Sequence, residues 1–351
     1  MNQGKMPKKV ARVLTVSVIT FFVLACAGLA AIKSWRPLRE QGAPVTQGKS
    51  AKATPSADDT KWGKSFSDFL VCGIDKTNSL TDVIMLVGFD NTSKKLSILQ
   101  IPRDTYVSGS VPTHKYNAVY GHHKKGVSGM ETLKTQVERD FGVKIQGYAA
   151  VTTKGFRELV DAVGGVNLTV PIPMRYDDPA QKLHIHLKKG MQHLDGAKAE
   201  QFVRYRKGWT DGDVGRLDAQ KLFLAALASK FKGTGAVQLA TDVLPVIAPP
   251  DFVTDLSAYQ MLELYSSAKD IGLKNAVVCT MPGESYRSRS GVSYYSVHKK
   301  ALVALLNKSF VPSGVKLKAA TLKIEQRASL VQGDSMASDL NKLLKKKNAH
   351  R

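Results

Sequence analysis

Two groups of charged residues hold the chemistry available to this chain. The first is spread over FSDFLVCGIDKTNSLTDVIMLVGFDNTSKKLSILQIPRDT, residues 66 to 105, where Asp75, Asp82 and Arg103 each bound an apolar run. The second, RYRKGWTDGDVGRLDAQK, residues 204 to 221, brings Arg204, Arg206, Asp213, Arg216 and Gln220. Guanidinium groups recognise phosphate oxygens in a bidentate fashion. A pair of aspartates offers hard oxygen ligands for a Mg²⁺-type ion. Together these types predict a site for a diphosphate with a metal. Each residue also has a plainer reading. Aspartates at strand ends form turns or cap helices, Arg103 can pair with Asp104, Asp213 can be an N-cap, and Gln220 can be an ordinary polar helix residue. Arg204 and Arg206 alternate, so they share one side only if their segment is extended.

The elements that must position these residues follow from the hydrophobic pattern. FLVCGI, VIMLVGF and KLSILQI are continuous apolar runs, as in strands buried on both faces. Ligands of open α/β sheets bind at strand ends, which is where Asp75, Asp82 and Arg103 fall. A helix is predicted over about Gly129 to Phe141, with Leu133, Val137 and Phe141 at helical spacing. Thr152 or Thr153 can cap a second helix with Phe156, Leu159, Val160 and Val163 on its apolar face, stopped by Gly164-Gly165 before a VNLTV strand. HLDGAKAEQFVRYR reads as a short helix leading into the arginines. GDVGR opens another, with Leu217, Leu224, Leu227 and Phe231 inward and Gln220 one turn after Arg216. A helix over about Leu256 to Ile271, an NAVVCTM strand and a helix from Tyr295 to Phe310 complete the order. The fold class this predicts is α/β, a layered α-β-α sandwich with a mixed central sheet.

Residues 1–12 form a basic tail with Lys5, Lys8, Lys9 and Arg12, and residues 13–32, VLTVSVITFFVLACAGLAAI, lack any charge. Twenty helical residues span roughly 30 Å, one bilayer core, so this reads as a single transmembrane helix. The basic tail places the N-terminus in the cytoplasm and the remainder outside. Residues 33–62 are polar and read as a stalk; residues 63–310 form the folded domain, and residues 311–351 a basic extension whose last thirty-odd residues are loosely ordered. The net charge of +22 over 351 residues favours anionic partners. Nucleic acid is set aside, because the anchor puts the domain outside the cell and no nucleic-acid-binding motif is present. Cys26, Cys72 and Cys279 sit in apolar runs and suggest neither a zinc site nor a disulfide framework. His184 and His186 form an HxH pair with His193 nearby, but the third ligand that zinc conventionally requires is unplaced.

FLVCGID, TDVIMLVGFD, LSILQIPRDTYV, KYNAVYGHHKKG, LVDAVGGVNLTV, HLDGAKAEQFVRYRK and GDVGRLDAQK together resemble the LytR-CpsA-Psr family, over about Phe66 to Phe310. The resemblance implies a membrane-anchored phosphotransferase. Such an enzyme moves an anionic glycopolymer, of teichoic acid or capsular polysaccharide type, from a polyprenyl pyrophosphate carrier to peptidoglycan at the outer membrane face. By matching motifs, the metal-binding aspartates of the family fall on Asp75 and Asp82 and its pyrophosphate-binding arginines on Arg103, Arg204 and Arg206. Its later Asp, Arg and Gln fall on Asp213, Arg216 and Gln220. The implied cofactor is Mg²⁺, and the implied catalytic group is Arg103, Asp75, Asp213 and Arg216. One departure stands out: Leu80 occupies a position where the family often has Arg, removing one phosphate ligand unless Lys76 or Arg216 substitutes. If a base takes the proton of the attacking hydroxyl, Asp75 and Asp104 are the candidates. The competing readings are a hydrolase of the same lipid pyrophosphate and a non-catalytic module that binds wall polymer.

Overall fold

The computed structural model describes residues 65–75, 79–179, 183–207, 219–227, 230, 239–247, 250–256, 260, 271, 275–327 and 337–339. The predicted tail, membrane span and stalk lie outside them, as does most of the helix expected from Leu256 to Ile271. No helix among the described residues is long and apolar enough to cross a membrane.

Strands β1 (Phe66–Asp75), β2 (Leu80–Asp90) and β3 (Lys95–Gln100) form on the three apolar runs. They pair antiparallel in sequence order. Leu70, Cys72, Ile74, Ile84, Leu86 and Leu99 enter one core cluster. Phe69, Val71, Met85, Val87 and Ile98 enter another. Burial on both faces explains why these runs are continuous rather than alternating.

Helices α1 (Tyr116–Val119) and α2 (Gly129–Phe141) follow. Ser128 caps α2, its hydroxyl accepting from the Glu131 amide, and Leu133, Val137 and Phe141 are fully buried. The sequence reading omitted β4 (Ile145–Thr152), which pairs parallel with β1. Its glycine and alanines make a weak strand signature, and Gly147 is needed because a Cβ there would run into Leu256. Helix α3 (Thr153–Ala162) is capped by Thr152, whose hydroxyl accepts from the Gly155 amide. It ends at Gly164 and Gly165, both in the left-handed region at φ +73° and +68°.

Strand β5 (Val166–Val170) forms as predicted but lies outside the central sheet. It pairs with β8 (Gly190–Leu194), while β6 (Met174–Asp178) pairs with β7 (Leu183–Leu187). The helix expected from His193 is α4 (Gly196–Arg204), and its first expected residues belong to β8. A helical stretch covers residues 219–227; Leu217 and Phe231 of its expected apolar face lie outside the described residues. Strands β9 (Phe252–Thr254) and β10 (Ala276–Thr280) precede the hairpin of β11 (Gly283–Arg287) and β12 (Ser293–Val297). Helix α5 (Lys299–Ser309) is therefore shorter than the predicted Tyr295–Phe310. The aromatic and branched residues of SYYSV extend the apolar pattern upstream, but they pair in a hairpin.

With β13 (Ala337–Asp339), the central sheet has the order β13-β10-β3-β2-β1-β4-β9. It is mixed: β1 with β4 and β3 with β10 are parallel, and the other pairs are antiparallel. Residues of α1, α2 and α5 cover one face. Leu224 and Ala225 of stretch 219–227, with Leu256 and Ile271, cover part of the other. A third cluster joins α3, α4, the β5–β8 and β6–β7 ribbons and stretch 219–227. Leu322 and Ile324 are buried in the first cluster, so residues 311–327 pack onto the domain instead of trailing from it.

Candidate functional site

The seam between the second and third core clusters opens into a cavity of about 650 Å³. Its apolar lining includes Val71 and Met85 of the sheet, Val151 of β4, Phe156 of α3, and Phe223, Leu224 and Leu227 of stretch 219–227. A cavity of this size suits one substantial ligand. Six of the residues singled out in the sequence line it: Asp75, Asp82, Arg103, Arg204, Arg206 and Gln220. Asp213, Arg216 and Lys76 lie outside the described residues.

Asp82 owes its place to a break in strand register. Gly73 pairs with Val83 and Ile74 with Thr81, so Asp82 is the extra residue of a bulge between β1 and β2. Regular alternation would set it on the same face as Ile84 and Leu86. The bulge re-aims it toward the cavity, a recurrent use of bulges beside functional sites. Asp75 ends β1 on the face of Phe69 and Val71, which is the cavity face.

Arg103 follows β3 in a turn held from several sides. The Thr105 amide and hydroxyl both donate to the Pro102 carbonyl, at 2.9 and 2.6 Å, and the Asn117 amide of α1 donates to the Arg103 carbonyl at 3.0 Å. The guanidinium donates through one terminal nitrogen to Asp82. Its Nε is buried and has no hydrogen-bond partner among the described residues. A buried cationic donor left unsatisfied is costly. Asp104 faces elsewhere, with Lys115 Nζ at 3.0 Å from its carboxylate, and does not line the cavity.

On the opposite side, Arg204 closes α4 and Tyr205 is extended at φ −64°, ψ 127°. That extension lets Tyr205 turn into the third cluster while Arg204 and Arg206 both line the cavity, the arrangement the alternation required. Arg204 donates to Glu200 Oε1 at 2.7 Å, and Arg157 Nε lies 2.9 Å from Glu200 Oε2. The Glu200 side chain is only 10 % exposed. Gln220 donates to the Val203 carbonyl at 3.4 Å, tying stretch 219–227 to the end of α4.

Sequence reasoning missed Glu200 and Lys207. Glu200 sits one helical turn before Arg204, the spacing of a paired carboxylate and the signal that could have found it. Lys207, next to Arg206, also lines the cavity, with its ammonium 4.5 Å above the Tyr176 ring. Leu80 lines the cavity too, and it packs against the first core cluster as a partly buried apolar residue. Cys72 lies in the wall, but burial pushes its thiol far above the ordinary range, so it is no thiolate nucleophile at neutral pH.

The arrangement can hold a dianionic or more highly charged head at the mouth, with an apolar chain behind it. Two carboxylates in the same mouth, Asp75 and Asp82, fit a hard divalent cation by donor type.

Comparison with known proteins places this geometry. The model of the LytR_cpsA_psr family matches residues 40–310. A Bacillus cereus (strain AH820) protein named polyisoprenyl-teichoic acid–peptidoglycan teichoic acid transferase TagU is 31% identical over 238 residues, covering 67% of this chain and 74% of the relative. The crystal structure of B. subtilis TagV superposes with a TM-score of 0.56 at 25% identity, over 68% of this chain and 93% of that one. A Streptococcus agalactiae protein, gbs0355, superposes with a TM-score of 0.59 at 19% identity, over 77% and 92%, and shares the fold. A match to the family model over most of the chain, spanning strands β1 to β12 and every arginine of the cavity, settles the matter: the chain belongs to the LytR_cpsA_psr family.

Proposed function

We propose that this protein transfers a teichoic acid-type anionic glycopolymer from a polyprenyl diphosphate carrier to peptidoglycan, outside the cytoplasm, anchored by residues 13–32. The observation that carries the reading is the form of the cavity. An apolar interior leads to a mouth lined by Arg103, Arg204, Arg206 and Lys207, a match for a lipid whose head is a diphosphate. The name of the TagU relative specifies the same donor and acceptor classes.

The chain's own residues account for the chemistry in outline. The apolar walls hold the polyprenyl tail and exclude water from the mouth. Arg103 and Arg204 face the diphosphate from opposite sides, with Arg206 beside Arg204. A glycan hydroxyl attacks the phosphorus nearest the polymer, forming a new phosphodiester and breaking the bond to polyprenyl phosphate. The arginines neutralise charge as it shifts onto that leaving group, which is the main requirement of a loose phosphoryl transfer. Asp75 is the carboxylate placed to take the hydroxyl proton. Asp75 and Asp82 would hold Mg²⁺, which when bound supplies further neutralisation of diphosphate charge. Gln220 acts by positioning, since its amide is used to join stretch 219–227 to α4.

The test uses the full chain in detergent with a polyprenyl diphosphate-linked oligosaccharide and peptidoglycan fragments, with Mg²⁺ or with EDTA. Release of polyprenyl phosphate together with a glycan-linked product is expected. Release without the linked product would make the protein a hydrolase. Lipid binding without release would make it a binding module, with Leu80 as the first residue to revert to Arg.

A further inference from the structure

The HxH pair at His184 and His186 acquires in the fold the third ligand that the sequence left unplaced. It is not His193, whose Nδ1 lies 2.9 Å from Asn167 Oδ1 on the other ribbon. It is Asp177, directly opposite His184 in the β6–β7 register. His184 and His186 are two apart on β7 and both exposed, so they project from the same face. A single oxygen of Asp177, Oδ1, lies 2.7 Å from His184 Nδ1 and 2.9 Å from His186 Nε2. One ligand atom from each of the three residues lies within 4.8 Å of the other two.

We propose that Asp177, His184 and His186 form a surface site for a borderline divalent metal ion of the zinc class, on the outer face of the β6–β7 hairpin. Imidazole nitrogens and a carboxylate oxygen bind such ions at about 2.0–2.2 Å, which sets tetrahedral donors roughly 3.3–3.6 Å apart. The two Asp177–imidazole separations are slightly shorter and the two imidazole nitrogens lie within 4.8 Å of each other, so small rotations of the three side chains bring the donors to that spacing. Exposed side chains on one hairpin can do this without moving the core. The backbone is already held: the His186 amide donates to Gln201 Oε1 of α4 at 2.9 Å. On binding, the ring proton that each imidazole shares with Asp177 passes to its other nitrogen, and water completes the fourth position.

This site differs in donor chemistry from the Asp75–Asp82 pair. Two imidazoles select Zn²⁺, Cu²⁺ or Ni²⁺ over Mg²⁺. Its place also gives it a consequence. The inner face of the same hairpin contributes Tyr176 and Leu183 to the cavity wall, and Tyr176 lies under Lys207. A cation bridging β6 and β7 from outside would therefore stiffen a wall of the cavity. The site does not depend on what the cavity binds.

The test is equilibrium binding of Zn²⁺ to the full chain in detergent, with excess Mg²⁺ and competition against a chromogenic chelator. Co²⁺ substitution then reports geometry through its visible absorption. The expected result is one ion per chain and a tetrahedral-type Co²⁺ spectrum. The double variant His184→Ala/His186→Ala should bind at least tenfold more weakly, with His193→Ala unchanged. Asp177→Asn should be weakened but folded, as its circular dichroism will confirm. Absence of stoichiometric binding, or affinity unchanged in the double variant, would overturn the proposal.

Discussion

The two sides of the cavity mouth hold their arginines in different ways. On the sheet side, Arg103 comes from a rigid turn after β3 and pairs with Asp82, itself a cavity residue and 47% exposed. On the helix side, Arg204 pairs with Glu200, which is only 10 % exposed and is shared with Arg157. The sheet-side pair lies where a ligand arrives, so a diphosphate and its cation can displace it and take up both partners. Glu200 also lines the cavity, but it is buried and held by Arg157 as well, so the helix-side pair keeps Arg204 in place whether or not ligand is present. One side is arranged to exchange partners and the other to stay fixed. Under the proposed function, the comparison gives Arg103 a direct role in charge stabilisation and Glu200 a positioning role.

The largest effect should follow from removing the exchanging arginine. Arg103→Ala is expected to lower the rate of polymer transfer by about 10²–10³-fold, the loss typical of a preorganised charge stabiliser. Single-turnover assays with saturating lipid will read it. Next comes Glu200→Gln, which leaves every arginine in place but removes the charged partner of both Arg204 and Arg157. A loss of about 1.5–3 kcal/mol, roughly 10–150-fold in kcat/KM, is expected. If the fixed side matters only through this tether, Arg204→Ala and the Arg204→Ala/Glu200→Gln double variant should have the same activity. Leu224→Ala trims the apolar wall on both counts less severely. It should weaken lipid binding by about 1 kcal/mol, or roughly fivefold, with kcat preserved and the effect fading for short-chain lipid analogues.

The smallest change expected in transfer is at the far end of β1, where Asp68 serves as a control carboxylate. It is 2% exposed, with Oδ1 lacking a hydrogen-bond partner among the described residues, and burial raises its pKa well above the ordinary 3.8. The folded state therefore favours the neutral acid. That contribution is complete below the unfolded-state value near 3.8 and is lost as pH rises through the elevated native value. Asp68→Asn stays neutral, so it should flatten this part of the pH–stability profile and stabilise the protein at neutral pH by on the order of 1–3 kcal/mol. Transfer activity should not change. Chemical denaturation across pH will test this.

The sequence disclosed the parts of this fold in which local pattern and final environment agree. The runs of β1 to β3 are apolar on both faces because both faces are buried. Helix α2 matched its expected limits because Ser128 caps it and its apolar residues recur with helical period. What escaped was decided by pairing at long range. β4 is weak in isolation and becomes a strand beside β1. SYYSV looks like the start of α5 until its partner GESYR is known. At the site, the residue types announced a phosphate-binding mouth, and the structure brings six of them to one cavity. The bulge that turns Asp82 inward leaves no trace in composition. Glu200 reads as one more helix-surface acid until Arg157 of α3 is found against it. Asp104 next to Arg103 looked equally placed for chemistry, yet the turn commits it to Lys115.

The most direct test of a two-sided charged mouth on an apolar cavity is an equilibrium comparison of two ligands with the same tail. Binding of a polyprenyl diphosphate and of the matching polyprenyl alcohol to the full chain in detergent should be measured in parallel, with wild type, Arg103→Ala and Arg204→Ala. The account predicts that wild type prefers the diphosphate by at least 100-fold, and that each variant loses most of this preference while binding the alcohol unchanged. Equal affinity for the two ligands, or a preference that survives both substitutions, would contradict it.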